Sequence, residues 1–166
     1  LTARRTPVDR LVLLATSARR QGDLLKTQLG KKLPPDKLDA ISKAIDSIMA
    51  GQTVDPPPEG LPIPPAMQPG IASAFTEDPI DSLKQIIIPT LIAGGGRDRQ
   101  IARLDMVALS AAAPAAKTLW LPDMNHVLVD VTDEDDDLKA YGDTSRPLDP
   151  DMIESVAAFI IGAEAR

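Results

Sequence analysis

Three short apolar runs, each bounded by charge, glycine or proline, stand out in the pattern of hydrophobic and polar positions. They are Leu11 to Ala15, Ile86 to Ala93 and Thr118 to Leu121. Runs without polar alternation are typical of strands buried on both faces, and such strands belong to parallel sheets covered by helices. We therefore predict about three strands of a mostly parallel sheet.

Amphipathic segments of helical length follow the second and third runs. Arg103 to Ala113 places its apolar residues on one face, and Pro150 to Ala163 does the same after an Asp-Pro-Asp start. The order strand, helix, strand, helix is the repeating unit of a doubly wound α/β fold. The fold class predicted from the sequence is accordingly α/β.

The stretch from Arg19 to Leu83 has helical and proline-rich patterns and no strand pattern. Helical periodicity covers Gly22 to Leu29, Asp36 to Ala50 and Met67 to Phe75, with a proline-rich run between the last two. An insertion of this length between two sheet strands indicates a helical cap rather than a crossover connection. We predict three segments: core residues 1–18, a cap over residues 19–83, and core residues 84–166.

Composition restricts the classes of function. The chain has 166 residues, 43% hydrophobic and 25% charged, as expected for a globular protein with one core. A net charge of −6 argues against nucleic acid and anionic lipid as partners, and the absence of cysteine excludes thiolate chemistry. No apolar run reaches the roughly 18 residues that span a bilayer. A cytoplasmic location is the default expectation, although secretion stays open.

His126 is the only histidine, so any histidine-dependent chemistry must use it. It follows the third apolar run, within Met124-Asn125-His126. Asp98 follows the second run, after Gly94-Gly95-Gly96. The carboxyl ends of parallel strands meet at one edge of a sheet, where active sites of open α/β sheets gather. We therefore expect Asp98 to lie within hydrogen-bonding reach of His126, as an acid that orients a histidine.

These features resemble the closing half of α/β-hydrolases, in which the triad members occur in the order Ser, Asp, His. Residues 1–18 resemble the end of the elbow helix followed by the sixth strand, and residues 19–83 occupy the usual place of the cap. The resemblance implies a serine hydrolase that cleaves a small-molecule carboxylic ester or amide and needs no cofactor or metal. It assigns Asp98 and His126 as catalytic residues.

The sequence departs from that family in one respect, because none of its eight serines lies in a Gly-x-Ser-x-Gly motif. We expect the chain to be the C-terminal portion of a hydrolase whose nucleophile lies upstream of Leu1, and to be inactive alone. Its partner would be the missing N-terminal half, or a second copy paired along the Leu11 to Ala15 edge. The alternative is a non-catalytic binding or assembly unit on the same scaffold.

Three other candidate sites have simpler interpretations. Ser17 follows a strand but lacks the strained turn that exposes a nucleophile. Gly94 to Gly96 could suggest phosphate binding, but Arg99 stands where a Gly-x-Gly-x-x-Gly motif needs its third glycine. The acidic run Asp133 to Asp137 resembles a calcium loop, yet Leu138 occupies the position of the required glycine. We predict that this run is a solvated loop.

Overall fold

The computed structural model of the protein describes residues 6–162, and the predicted end of an elbow helix at residues 1–5 lies outside this range. In the described residues, the elements in chain order are β1 (Leu11–Leu14), α1 (Gln21–Gly30), α2 (Pro35–Met49), a short 3-10 helix (Pro65–Met67), α3 (Gln68–Thr76), α4 (Pro79–Lys84), β2 (Thr90–Gly95), α5 (Arg103–Ala112), β3 (Lys117–Leu121), α6 (Glu134–Ala140) and α7 (Pro150–Ile161).

The three strands form one parallel sheet in the order β1-β2-β3. The α/β fold class predicted from the apolar runs is thereby confirmed. The central strand β2 is buried along its whole length, whereas β1 is half-buried and β3 is exposed at its first two residues. Burial on both faces, which the sequence pattern predicted for all three strands, therefore holds fully only for the central strand.

The predicted start of the second strand at Ile86 is wrong. The backbone N–H of Ile86 donates to Leu83 O at 2.9 Å, so this residue still belongs to the turn that ends α4. Ile87 is 98% exposed, and Pro89 has no N–H to donate to a ladder. The strand instead begins at Thr90 and continues to Gly95, which pairs with Leu121 of β3.

Helices pack on both faces of this sheet, because alternate strand residues point to opposite sides. Ile92 of β2 and Leu109 of α5 belong to one buried cluster, which Leu11 and Leu13 of β1 join. Leu121 of β3 and Met152 of α7 belong to another, with Leu14 packed against it. Residues 6–18 and 80–162 form one compact unit that contains the sheet.

Residues 19–79 form a second compact unit. Its core is built on α2, where Ile41, Ile45 and Ile48 are fully buried at the spacing of one helical face. Gln68 is 1% exposed and fixes the proline-rich stretch by exchanging two hydrogen bonds with the backbone of Val54. No strand occurs among the described residues of this unit. Its role as a cap stays a prediction.

The acidic run that the sequence analysis assigned to a solvated loop forms helix α6 instead. The side chain of Asp133 caps its first turn by accepting the N–H of Asp136 at 2.9 Å. Acidic residues in a first turn also interact favourably with the positive end of the helix dipole, which explains why this sequence can be helical. The helix turns Asp137 inward, where it is only 3% exposed.

No helix within residues 6–162 combines the length and the apolar character needed to cross a bilayer.

Candidate active site at the carboxyl ends of β2 and β3

The end of β2 and the loop after it lie so close to the loop that leaves β3 that no side chain fits at Gly95. The N–H of Gly96 donates to Leu121 O at 2.8 Å, and the N–H of Arg97 donates to Met124 O at 3.0 Å. A Cβ atom on Gly95 would lie 2.1 Å from Met124 O. Glycine is therefore required here for close backbone approach, and this approach brings the segments carrying Asp98 and His126 side by side.

The carboxylate of Asp98 is held by three hydrogen bonds. Its Oδ1 accepts the backbone N–H groups of Gln100 and Ile101, both at 2.8 Å. Its Oδ2 lies 3.0 Å from Nδ1 of His126, which is the contact that the sequence predicted. The Asp98 side chain is 1% exposed. Both oxygens of the carboxylate that contacts the imidazole thus have hydrogen-bond partners.

His126 combines a buried carboxylate partner with access to solvent, since its side chain remains 29% exposed. The hydrogen bond to Asp98 raises the pKa of His126 above its usual value, partial burial opposes that shift, and the charges of Asp98 and Asp137 add to it. Because a carboxylate only accepts, it holds the proton of the neutral ring on Nδ1. The Nε2 atom is left with a lone pair and can accept a proton.

The turn that carries His126 is organised around Asn125, which is fully buried. The Asn125 side-chain oxygen accepts the backbone N–H groups of Val127 at 3.0 Å and Val129 at 3.2 Å. The backbone N–H of Asn125 donates to Val129 O at 3.0 Å. Leu128 sits between them with φ of +65°, a conformation that L residues rarely adopt outside a tightly constrained turn.

A second buried carboxylate contacts this turn. The Nδ2 group of Asn125 donates to Oδ1 of Asp137 at 2.8 Å. Neither residue was predicted from the sequence, in which Asp137 belongs to the acidic run that was expected to be a solvated loop. The only sequence signal was the position of Asn125 directly before the histidine, where a short polar side chain can bond to the backbone two residues further on.

Ser17 is not presented as a nucleophile in this structure. It is 3% exposed, and its hydroxyl donates to Oδ1 of Asp105 at 3.3 Å. The same carboxylate accepts the N–H of Ala18 at 3.1 Å and, through Oδ2, the N–H of Ala102 at 3.0 Å. Ser17 therefore helps join the loop after β1 to the start of α5.

The charged residues that flank Asp98 pair at the surface. Arg97 lies 3.7 Å from Asp123, and Arg99 lies 2.7 Å from Glu134, with about half of each arginine side chain exposed. Within the described part of the chain, no group of three or more acidic or histidine side chains is arranged to hold a metal ion.

No family model and no curated protein matches the sequence. Solved structures do match. A candidate non-heme bromoperoxidase from Mycobacterium tuberculosis is 14% identical with a TM-score of 0.48, over 95% of this chain and 59% of that one. A hydrolase from Pseudomonas aeruginosa is 21% identical with a TM-score of 0.43, over 93% and 56%. An esterase from Thermogutta terrifontis is 22% identical with a TM-score of 0.38, over 72% and 49%.

All three of these structures share less than a quarter of their aligned residues with this chain. The chain spans less than two thirds of the length of each. At such identities and TM-scores, the assignment of the α/β class rests on this chain's own sheet and helices. A shared fold does not transfer an activity.

Proposed function

We propose that this chain supplies the acid and the base of a serine hydrolase that cleaves a small-molecule carboxylic ester or amide. Asp98 orients the imidazole, and His126 moves the proton. The observation that supports this assignment is the 3.0 Å contact between the buried Asp98 carboxylate and the partly exposed ring of His126, the chain's only histidine. An acid, a histidine and a nucleophile in this relation form a catalytic triad.

The reaction divides into two acyl transfers. A serine hydroxyl attacks the carbonyl carbon while Nε2 of His126 takes its proton, and His126 then returns the proton to the leaving alcohol or amine. Water repeats the sequence on the acyl-enzyme, releasing the carboxylic acid and restoring the serine. Asp98 keeps the ring in the required tautomer and stabilises the imidazolium. The serine and the donors that stabilise the oxyanion come from a segment outside this sequence.

That segment is expected to pair with the outer edge of β1. The N–H of Leu11 donates to Pro89 O, and the N–H of Ala15 donates to Ala93 O, each at 3.0 Å. Strand alternation then directs the N–H groups of Val12 and Leu14 away from β2, to a side where the described sheet has no further strand. A strand that ends in a nucleophile elbow would satisfy this edge and bring its serine to the same end of the sheet.

The test is to express the sequence together with the residues encoded before it and to assay hydrolysis of p-nitrophenyl esters. A fluorophosphonate probe should label a serine within a Gly-x-Ser-x-Gly motif about fifteen residues or fewer before Leu1. His126→Ala should lower kcat by about 10⁴-fold or more, while Asp123→Asn, an exposed acid on the same loop, should leave it unchanged. Full activity of His126→Ala, or labelling of Ser17 in the 166-residue chain, would refute the proposal.

A non-catalytic assembly unit remains the second candidate, and the exposed apolar side chains favour it. Leu104 and Val107 on α5 are 77% and 56% exposed, and Ile160 and Ile161 on α7 are 57% and 77% exposed. Each of these two helices thus presents large apolar side chains to solvent, and large exposed apolar patches mark interaction sites. A longer polypeptide that forms a stable complex but shows neither hydrolysis nor probe labelling would establish this second function instead.

A further inference from the structure

The turn that carries His126 depends on the orientation of a single side-chain amide. Asn125 uses its oxygen to accept two backbone N–H groups and its Nδ2 to donate to Asp137. If the amide were rotated by half a turn, its NH₂ group would face the N–H groups of Val127 and Val129, and the turn would lose both hydrogen bonds. The two orientations of the amide have nearly the same shape, but only the one with its oxygen toward the turn keeps His126 in its observed position.

The Asp137 carboxylate determines which of the two orientations the Asn125 amide adopts. A carboxylate can only accept hydrogen bonds, so it requires the NH₂ group on its own side and thereby directs the amide oxygen toward the backbone of the turn. The contact is short, at 2.8 Å, and both residues are almost inaccessible to solvent. An unpaired polar group at such a depth is costly, which makes the wrong orientation unfavourable on both sides of the amide.

We infer that Asn125 and Asp137 are positioning residues for His126, with the Asp137 carboxylate fixing the Asn125 amide and the amide fixing the turn that presents the ring to Asp98. His126 is then held by two buried carboxylates that have different tasks. Asp98 contacts the ring directly, whereas Asp137 acts on the backbone through Asn125. The inference deepens the proposed function, because it assigns residues that place the base of the same site.

The helix that supplies Asp137 is itself well fixed. Asp133 caps its start, and the N–H of Asp137 donates to Asp133 O at 3.0 Å. Thr132, directly before the helix cap, donates its backbone N–H to Asp136 at 3.0 Å. The bond from Asn125 to Asp137 links the His126 turn to α6, and substituting Asp137 removes this link while the contacts of Asp133 and Thr132 still hold the start of the helix.

The test uses NMR on the full chain, where the single histidine makes assignment direct. Asp137→Ala and the similarly sized Asp137→Leu both remove the acceptor, whereas Asp137→Asn keeps an oxygen that can still accept from Nδ2. Asp135 is exposed on the same helix and provides the matched control as Asp135→Ala. The readouts are solvent exchange of the His126 Nδ1–H and the tautomer of the neutral ring, from its nitrogen chemical shifts.

The two variants without an acceptor should increase Nδ1–H exchange by about tenfold or more, as expected for the loss of a hydrogen bond that fixes the turn, and should give a mixture of tautomers. Asp137→Asn should restore most of the order, and Asp135→Ala should change nothing. Unchanged exchange and tautomer in folded Asp137→Leu would overturn the inference. So would a His126 ring that is as disordered in Asp137→Asn as in Asp137→Leu. These readouts need no hydrolysis, so they are independent of whether the proposed activity is found.

Discussion

The replacement of Asp98 by asparagine tests the contact between the acid and the histidine most directly. The introduced amide can still accept the N–H groups of Gln100 and Ile101 through its oxygen, so the turn after β2 should persist. Its NH₂ group would then face Nδ1 of His126. Because that group donates, the neutral ring must accept at Nδ1 and carry its proton on Nε2. The variant should therefore keep the fold and reverse the tautomer.

The magnitude follows from the loss of a charged partner. A hydrogen bond between an imidazolium and a carboxylate contributes about 1.5 to 3 kcal/mol, and the 1% exposure of Asp98 keeps water from replacing it. We expect Asp98→Asn to lower the pKa of His126. Since the folded pKa of His126 lies above its ordinary value, the associated stability is fully present below that ordinary value and is lost as pH rises through the folded pKa. The variant should therefore be most destabilised in acid.

The assay is a pH titration of the His126 Cε1–H signal, combined with urea unfolding at several pH values. Asp123→Asn is the control, because it removes an equal charge from the loop that carries His126 while its carboxylate is 64% exposed and pairs with Arg97. It should leave the His126 titration unchanged. An Asp98→Asn titration that coincides with the wild-type curve would show that the 3.0 Å contact is not maintained in solution.

Two further predictions concern stability. Gly95→Ala places a Cβ 2.1 Å from Met124 O, so it should lower the free energy of unfolding, measured in urea, by about 1 to 3 kcal/mol or more. The control is Gly142→Ala, whose Cβ would meet nothing closer than 3.8 Å and which should change the free energy of unfolding by less than about 0.5 kcal/mol. Desolvation and the neighbouring carboxyl group of Asp149 raise the pKa of Asp130 from 3.8 to about 6. Stability should therefore fall as pH rises across that interval, and Asp130→Asn should abolish this fall in unfolding curves recorded on both sides of it.

The strands and their order along the chain could be predicted from the sequence because the apolar runs carry the information locally. The error at Ile86 has a local cause as well, since three consecutive isoleucines satisfy a strand pattern whether or not their backbone is paired. Pro89 was the signal that separates Ile86 from the ladder at Thr90, because a proline cannot donate within it. Periodicity alone cannot supply this information, which concerns hydrogen bonds rather than burial.

The same distinction explains why half of the candidate site could be predicted. Asp98 and His126 each follow a strand directly, so parallel topology alone brings them to one edge, and the short separation of 3.0 Å follows from glycines visible in the sequence. Asp137 lies at the end of an acidic run whose composition favours solvation. Only the cap at Asp133 turns that run into a helix, and only the helix buries Asp137 against Asn125. Because this contact depends first on the cap and then on the helix, no spacing of residues in the sequence indicates it.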